Sequence, residues 1–313
     1  MLGVISFFLF GIHDYIKTIT GKQYKNITDF TLEYEAKEEI QQARDNLRKS
    51  KEQAKIIAPG NGSSLPVAIT FDGLTDRMMV QRVLDLLNKH DVKATFFVDG
   101  LHSAEDPQIL LNIRKAGFPI ENYTLSGMAN IQKLTTEQLL KEFCVTARII
   151  KVYTDRGPGL LRCNDSRYTP ELLEVARACG FESVVQNDLF LDIDEISKSG
   201  SANNFVKKNV LEGSIISVKL LPYPETVVAD PPSMETTMFS QQPGLKELPE
   251  LITEEKHKVV AAVEALIIAL KDNGHTIDYV DSWPRNGRPA APEPKVVPDK
   301  KSEQPKTPYN IQY

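Results

Sequence analysis

Asp72 closes a hydrophobic run, VAITF (67–71), and is followed at once by Gly73. A second run, ATFFV (94–98), leads into Asp99 and, three residues on, His102. A carboxylate at the end of a buried strand is placed where a general base works, but a lone acid with no nucleophile to activate does little. Asp72, Asp99 and His102 together are a donor set of the kind that holds a divalent metal with open positions. Solvated loop residues of the same types are the more ordinary explanation. No Ser-His-Asp order, glycine-rich phosphate loop or Cys-His pair marks a rival chemistry. Cys144, Cys163 and Cys179 are odd in number, widely spaced and without a CxxC pair. That pattern argues against both a disulfide framework and a zinc knuckle, and two of the three fall in predicted helices as core packing.

These residues must be positioned by a sizeable fold. A chain of 313 residues with 41% hydrophobic content can bury a substantial core, and one large α/β domain with tails fits it best. Net charge is −5, and no cluster of Lys and Arg is interleaved with aromatics, so nucleic acid is set aside as a partner. The opening MLGVISFFLFGI lies in an apolar segment assigned to residues 1–20. Its apolar run is shorter than the roughly 20 residues a membrane-spanning helix needs. It also lacks a basic leader and a small-x-small cleavage site. The expectation is a remnant of a signal or anchor, giving an extracytoplasmic protein, secreted or membrane-tethered, that meets membrane only through that segment.

Residues 34–57 combine strong helix formers, mixed charge and sparse apolar positions, which predicts an exposed helix acting as a spacer. The turn-rich APGNGSSLP (58–66) then reads as a linker, so that 21–64 is a charged helix with linker and the domain starts near Leu65. From there strand and helix patterns alternate to residue 283, as in a mainly parallel α/β fold. Met79, Val80, Val83, Leu84, Leu86 and Leu87 share one helical face, and Gly117, Gly180 and Gly274 stop helices. Thr135 with Gln138 forms a capping-box pattern, Pro170 opens another helix, and a last helix runs from about 254 to 273 before a closing strand, TIDYV. Residues 222–250 are rich in Pro and polar residues and read as a loop insertion; 284–313 read as a disordered tail.

The segments AITFDGL…ATFFVDG, AGFPIENYTLSG, LLRCNDSRYTPELLEVARACGF, GSIISVKL and VEALIIALKDNGHTIDYV occur in an order and spacing that resembles the polysaccharide deacetylase (NodB-like) family over roughly residues 65–283. The resemblance implies a distorted (β/α) barrel with its site at the C-terminal strand ends. It also implies a divalent metal that polarises the acetamide carbonyl and supplies a low-pKa water. Family members use adjacent aspartates, a base and a metal ligand, and two histidines of a His-x-x-x-His motif. Here Asp72 falls on the base, but Gly73, Tyr123 and Gly127 fall on the three ligands. The Arg-x-Pro motif keeps Arg162 and loses its proline to Asn164, and Lys219 stands where a histidine acts as general acid.

The expectation is therefore a degenerate member, with no cofactor, acting at the cell envelope as a glycan-binding or structural protein. Asp72, Arg162 and Lys219 are then remnant catalytic positions, with Asp72 held by Arg162 and helped by Lys219. Tyr123, Tyr168 and Tyr223 are candidates for a sugar-stacking rim. Two other readings stand beside it: an active deacetylase or amidohydrolase with an unorthodox site around Asp72, Asp99, His102 and Lys219, and a partner-binding module. Because the composition of 284–313 cannot bury enough apolar surface to offset the entropy of ordering, deleting that stretch is expected to leave the thermal midpoint within a few degrees of the full chain.

Overall fold

The computed structural model describes residues 34–60, 65–196, 198, 200–220 and 248–280, with side chains of the last segment from Lys258 onward. The apolar opening, Tyr223, the body of the 222–250 insertion and the 284–313 tail lie outside the described residues.

Eight strands form a single parallel sheet. They are β1 (Lys55–Ile57), β2 (Ala68–Asp72), β3 (Thr95–Val98), β4 (Ile120–Asn122), β5 (Leu160–Leu161), β6 (Ser183–Val185), β7 (Leu189–Phe190) and β8 (Ile215–Lys219). Their order is β1-β6-β5-β4-β3-β2-β8-β7, with β1 and β7 at the two edges. The sheet curls into the open, distorted barrel that the sequence led one to expect, with helices outside it.

Strand β2 shows how the barrel is filled. All five of its residues are buried, because helices cover one face and the barrel interior the other. Side chains alternate between the faces, so Ile69 and Phe71 join the outer core beneath the helices while Ala68 packs in the interior cluster. Thr70 and Asp72 share the face of Ala68. The neighbouring strand β8 lies in register, Ala68 opposite Ile215, Thr70 opposite Ser217 and Asp72 opposite Lys219. The interior therefore climbs from apolar at the bottom (Ala68, Ile215) through hydroxyls (Thr70, Ser217) to charge at the C-terminal end (Asp72, Lys219).

Helices α1 (Lys37–Lys49), α2 (Arg77–Lys89), α3 (Gly100–Glu105), α4 (Gln108–Lys115), α5 (Thr136–Thr154), α6 (Pro170–Ala178), α7 (Ile193–Ile196), α8 (Ser201–Asn209) and α9 (Leu248–Asp272) are the outer layer. Two start as the sequence indicated: Thr135 and Gln138 make the reciprocal capping box of α5, and Pro170 opens α6. Asp76, not singled out from sequence, caps α2 by accepting from the Met78 and Met79 amides. Gly117, Gly180 and Gly274 follow helices at positive φ.

Three expectations need correction. The spacer helix is part of the fold: α1 packs on α5 and α6, burying Ile40 and Ala43. Strand β1 adds to the sheet against β6, with Lys55 opposite Ser183 and Ile57 opposite Val185. The boundary expected near Leu65 thus falls inside the domain. Mixed charge with sparse apolar positions hid this, because two buried side chains are enough to dock a short helix. Finally, TIDYV is no full strand; it contributes one bridge, between Ile277 and Val67.

If α1 is structural, Ile40→Ala should lower stability by about 2 kcal/mol, the loss expected for truncating a buried aliphatic side chain. Chemical denaturation of the two proteins checks this; an unchanged midpoint would return α1 to the role of a solvated spacer.

Candidate functional site

Asp72 sits at the C-terminal end of β2 with no exposed surface, and Arg162, just past β5, is equally buried. The Arg162 Nη1 lies 2.7 Å from Asp72 Oδ1 and donates as well to Thr70 Oγ1 at 2.5 Å and Ser217 Oγ at 3.1 Å. The guanidinium carbon stands 4.3 Å from the Phe97 ring centroid. Each partner is delivered by strand alternation: Thr70 and Asp72 from β2, Ser217 from β8, Phe97 from β3. Burial pushes the Asp72 carboxyl above its ordinary range, while Arg162 first, then Lys219 and Ser217, pull it down. A raised carboxyl is what a general base near neutral pH would have, so the direction alone assigns no role. Geometry is more informative. Of the carboxylate's two oxygens, Oδ1 is engaged by Arg162, and Oδ2 has no hydrogen-bond partner among the described residues.

Lys219 lies opposite Asp72 in the sheet but is exposed, with its Nζ 5.0 Å from the centroid of the Phe190 ring. Phe190 is 46% exposed on the edge strand β7. This aromatic was missed in the sequence reading, because a two-residue strand has too short a pattern to announce itself.

The loop after β4 occupies the position where the family places its histidines. Thr124 there takes a φ of 71°, an outlier for a β-branched residue, and Gly127 follows at 65°. The conformation is over-determined. Asn122 Oδ1 accepts from the Thr124 amide at 2.7 Å, and Thr124 Oγ1 accepts from the Gly127 amide at 3.0 Å. From below, the buried carboxylate of Glu142 accepts from the amides of Leu125 and Ser126 and from the Ser126 hydroxyl at 2.9–3.0 Å. Asn164, standing at the lost proline, donates from Nδ2 to the Gly127 carbonyl at 2.9 Å. None of Glu142, Thr70, Ser217 or this use of Asn164 was singled out from sequence, since none bears a motif of its own.

Tyr123 is no rim residue. It is fully buried, packed in the interior with Phe97, Leu160, Val185 and Ile215, and burial pushes its hydroxyl far above the usual range. The expected stacking face is therefore inside the barrel. Tyr168 is half-buried; its hydroxyl donates to the Val185 carbonyl at 2.8 Å and accepts from the Cys163 amide at 3.4 Å, which ties the strand ends together. It braces the mouth more than it lines it.

The alternative metal set is not assembled. Asp99 is buried and spends Oδ1 on the Leu74 amide and Oδ2 on the His102 amide and Nδ1, the last at 2.6 Å. It is the N-cap of α3, and its His102 contact is local to that cap. Among the described residues no group of three or more His, Cys, Asp or Glu is arranged to hold a metal. The donors at the family position do not fit one either. Gly73 and Gly127 have no side chains, and the Tyr123 phenol is held protonated by burial. Gly73 leaves β2 at φ 80°, with its amide donating to the Phe97 carbonyl at 2.8 Å.

Residues 60–184 match the polysaccharide deacetylase family model. The chain is 29% identical over 150 residues to a peptidoglycan-N-acetylglucosamine deacetylase of Bacillus cereus, covering 48% of this chain and 54% of that protein. It is 25% identical over 134 residues to the peptidoglycan-N-acetylmuramic acid deacetylase PdaA of Bacillus subtilis, covering 42% and 51%. The chain thus spans about half the length of these relatives. Among solved structures, a peptidoglycan N-acetylglucosamine deacetylase superposes with a TM-score of 0.56 at 21% identity, covering 74% of this chain and 92% of that one. A CE4 family pseudoenzyme from Bacillus anthracis does so with 0.55 at 15%, covering 76% and 79%. At these identities the superpositions speak for the fold. The motif order, the curled parallel barrel and the match over residues 60–184 together make this chain similar to polysaccharide deacetylases in sequence and in fold.

Proposed function

We propose that this domain binds N-acetylated glycan at the cell envelope without hydrolysing it. The observation that carries the reading is the fate of the base-position carboxylate: Asp72 is buried against Arg162, beside ligand positions filled by Gly73, Tyr123 and Gly127. Amide hydrolysis needs an activated water, an electrophile for the developing oxyanion and an acid for the leaving amine. Asp72 alone supplies at most one of these. Lys219 stands at the acid's position, and its positive charge opposes metal binding nearby. The curated relatives named above act on peptidoglycan, and the same class of ligand suits the exposed pair Phe190 and Lys219 at the C-terminal strand ends. An exposed ring gives a sugar an apolar face to stack on, and the ammonium beside it gives a carboxylate or hydroxyl a donor.

On this reading the protein, supplied with zinc or cobalt, releases no acetate from chitooligosaccharide or peptidoglycan fragments, yet sediments with insoluble peptidoglycan. Phe190→Ala should weaken that sedimentation by roughly fivefold or more, the loss of one stacking contact. Metal-dependent acetate release by the wild type would replace this reading with an enzymatic one. Gly73→Asp is expected to stay silent as well. One carboxylate is too few ligands, and the φ of 80° at that position penalises any side chain.

Asp72 and Arg162 then have a structural role that can be measured apart from glycan. Asp72→Ala or Arg162→Ala alone should destabilise the domain by about 3–5 kcal/mol, because each leaves a buried charge without its partner. The double variant should lose clearly less than the sum, since the coupling goes with the pair. Additive losses in urea titrations would mean that the two side chains act independently.

A further inference from the structure

We propose that Cys144 and Cys179 form a dithiol that closes to a disulfide, a redox-sensitive clamp on the outer layer of the barrel. Cys144 lies within α5 and is buried; Cys179 is the C-cap of α6 and partly exposed. The helices pack together, and the two sulfurs stand 3.1 Å apart, in contact across the helix interface. A disulfide requires about 2.05 Å between sulfurs, so closure asks for about an ångström of approach. Cys163, also buried, lies just past β5 and on neither helix. The spacing along the chain concealed the juxtaposition; it follows from the docking of α5 on α6.

The reaction balances with a small-molecule disulfide as oxidant. The partly exposed Cys179, as thiolate, attacks one sulfur of the oxidant and expels one thiolate, leaving a mixed disulfide on Cys179. Cys144 then gives up its proton to solvent, attacks the Cys179 sulfur and expels the second thiolate. The protein loses two thiol hydrogens and two electrons, and the oxidant becomes two thiols. Burial and the neighbouring Cys144 hold the Cys179 thiol well above its ordinary range, so exchange should quicken as pH rises.

The cross-link has a structural consequence. The chain between its ends includes β5, Arg162, Cys163 and Asn164. These carry the partner of Asp72 and the side chain that holds the Gly127 carbonyl. Closing that loop restricts the unfolded chain and so favours the folded arrangement of this stretch. The inference does not depend on glycan binding.

The test uses the full chain, reduced with dithiothreitol and then incubated with glutathione disulfide under native conditions. Remaining thiols are alkylated in denaturant, and peptides are mapped by mass spectrometry. The expected product is a single Cys144–Cys179 linked peptide with Cys163 alkylated. The thermal midpoint should rise by several degrees and fall back on reduction. Cys179→Ala and Cys144→Ala should show neither the linked peptide nor the shift. Three alkylated cysteines after oxidation would overturn the proposal. So would glutathione that stays on Cys179, a link involving Cys163, or a midpoint shift that persists in Cys179→Ala.

Discussion

A charge inside a barrel has to be answered within reach, and the contact between Asp72 and Arg162 sets what this interior can be. Neither side chain has exposed surface, and the two meet inside the curled sheet, Asp72 from the end of β2 and Arg162 from just past β5. Isolated, either ion would cost several kcal/mol to bury. Together, with the Thr70 and Ser217 hydroxyls accepting from Nη1 and the Phe97 ring under the guanidinium, they are tolerable. This dictates the polar rung across β2, β8 and β5. Below it the interior turns apolar, with Ala68, Ile215 and Leu160 packed together.

The loop after β4 follows the same logic in backbone form. Its amides are directed at Glu142, its Gly127 carbonyl at Asn164, and its left-handed Thr124 is held by Asn122. Those bonds depend on peptide groups, which every sequence supplies, and not on the side chains a metal would use. The frame of a metal-binding loop can therefore be present with glycine and an inward tyrosine at the ligand positions. Strain at Thr124 persists because the surrounding hydrogen bonds determine it, as is common around functional loops.

Much of this was legible in the sequence, and what was not has physical reasons. The hydrophobic run VAITF placed Asp72 at the end of a buried strand, the capping box at Thr135 and the helix-stopping glycines marked helices, and motif order indicated the barrel and the Asp72–Arg162 contact. The missed features are those that arise only from tertiary placement. Tyr123 carries no mark that distinguishes a rim aromatic from an interior one, since both are amphipathic positions after a strand. Asp99 and His102 have the spacing of ligands and equally that of an N-cap with its local imidazole. Short edge strands such as β1 and β7 give too little periodicity to read, so the docking of α1 and the exposure of Phe190 both had to come from the fold.

The direction of these departures also matters. Had one ligand position alone differed, the remaining donors would still favour a cation, and the site would sit one substitution from the chemistry of the deacetylases it resembles. Here each change reinforces the others. Gly73 and Gly127 remove donors, and Tyr123 fills space with a hydrophobic body whose phenol stays protonated. Lys219 adds positive charge at the same end of the sheet, where it helps Arg162 to offset Asp72. A cation brought into this environment would compete with both Arg162 and Lys219 for a single carboxylate. The same positive charge makes the mouth more hospitable to an acidic or hydroxyl-rich ligand. The electrostatics that oppose a metal and those that would favour a carboxylated glycan are therefore one arrangement, centred on Asp72.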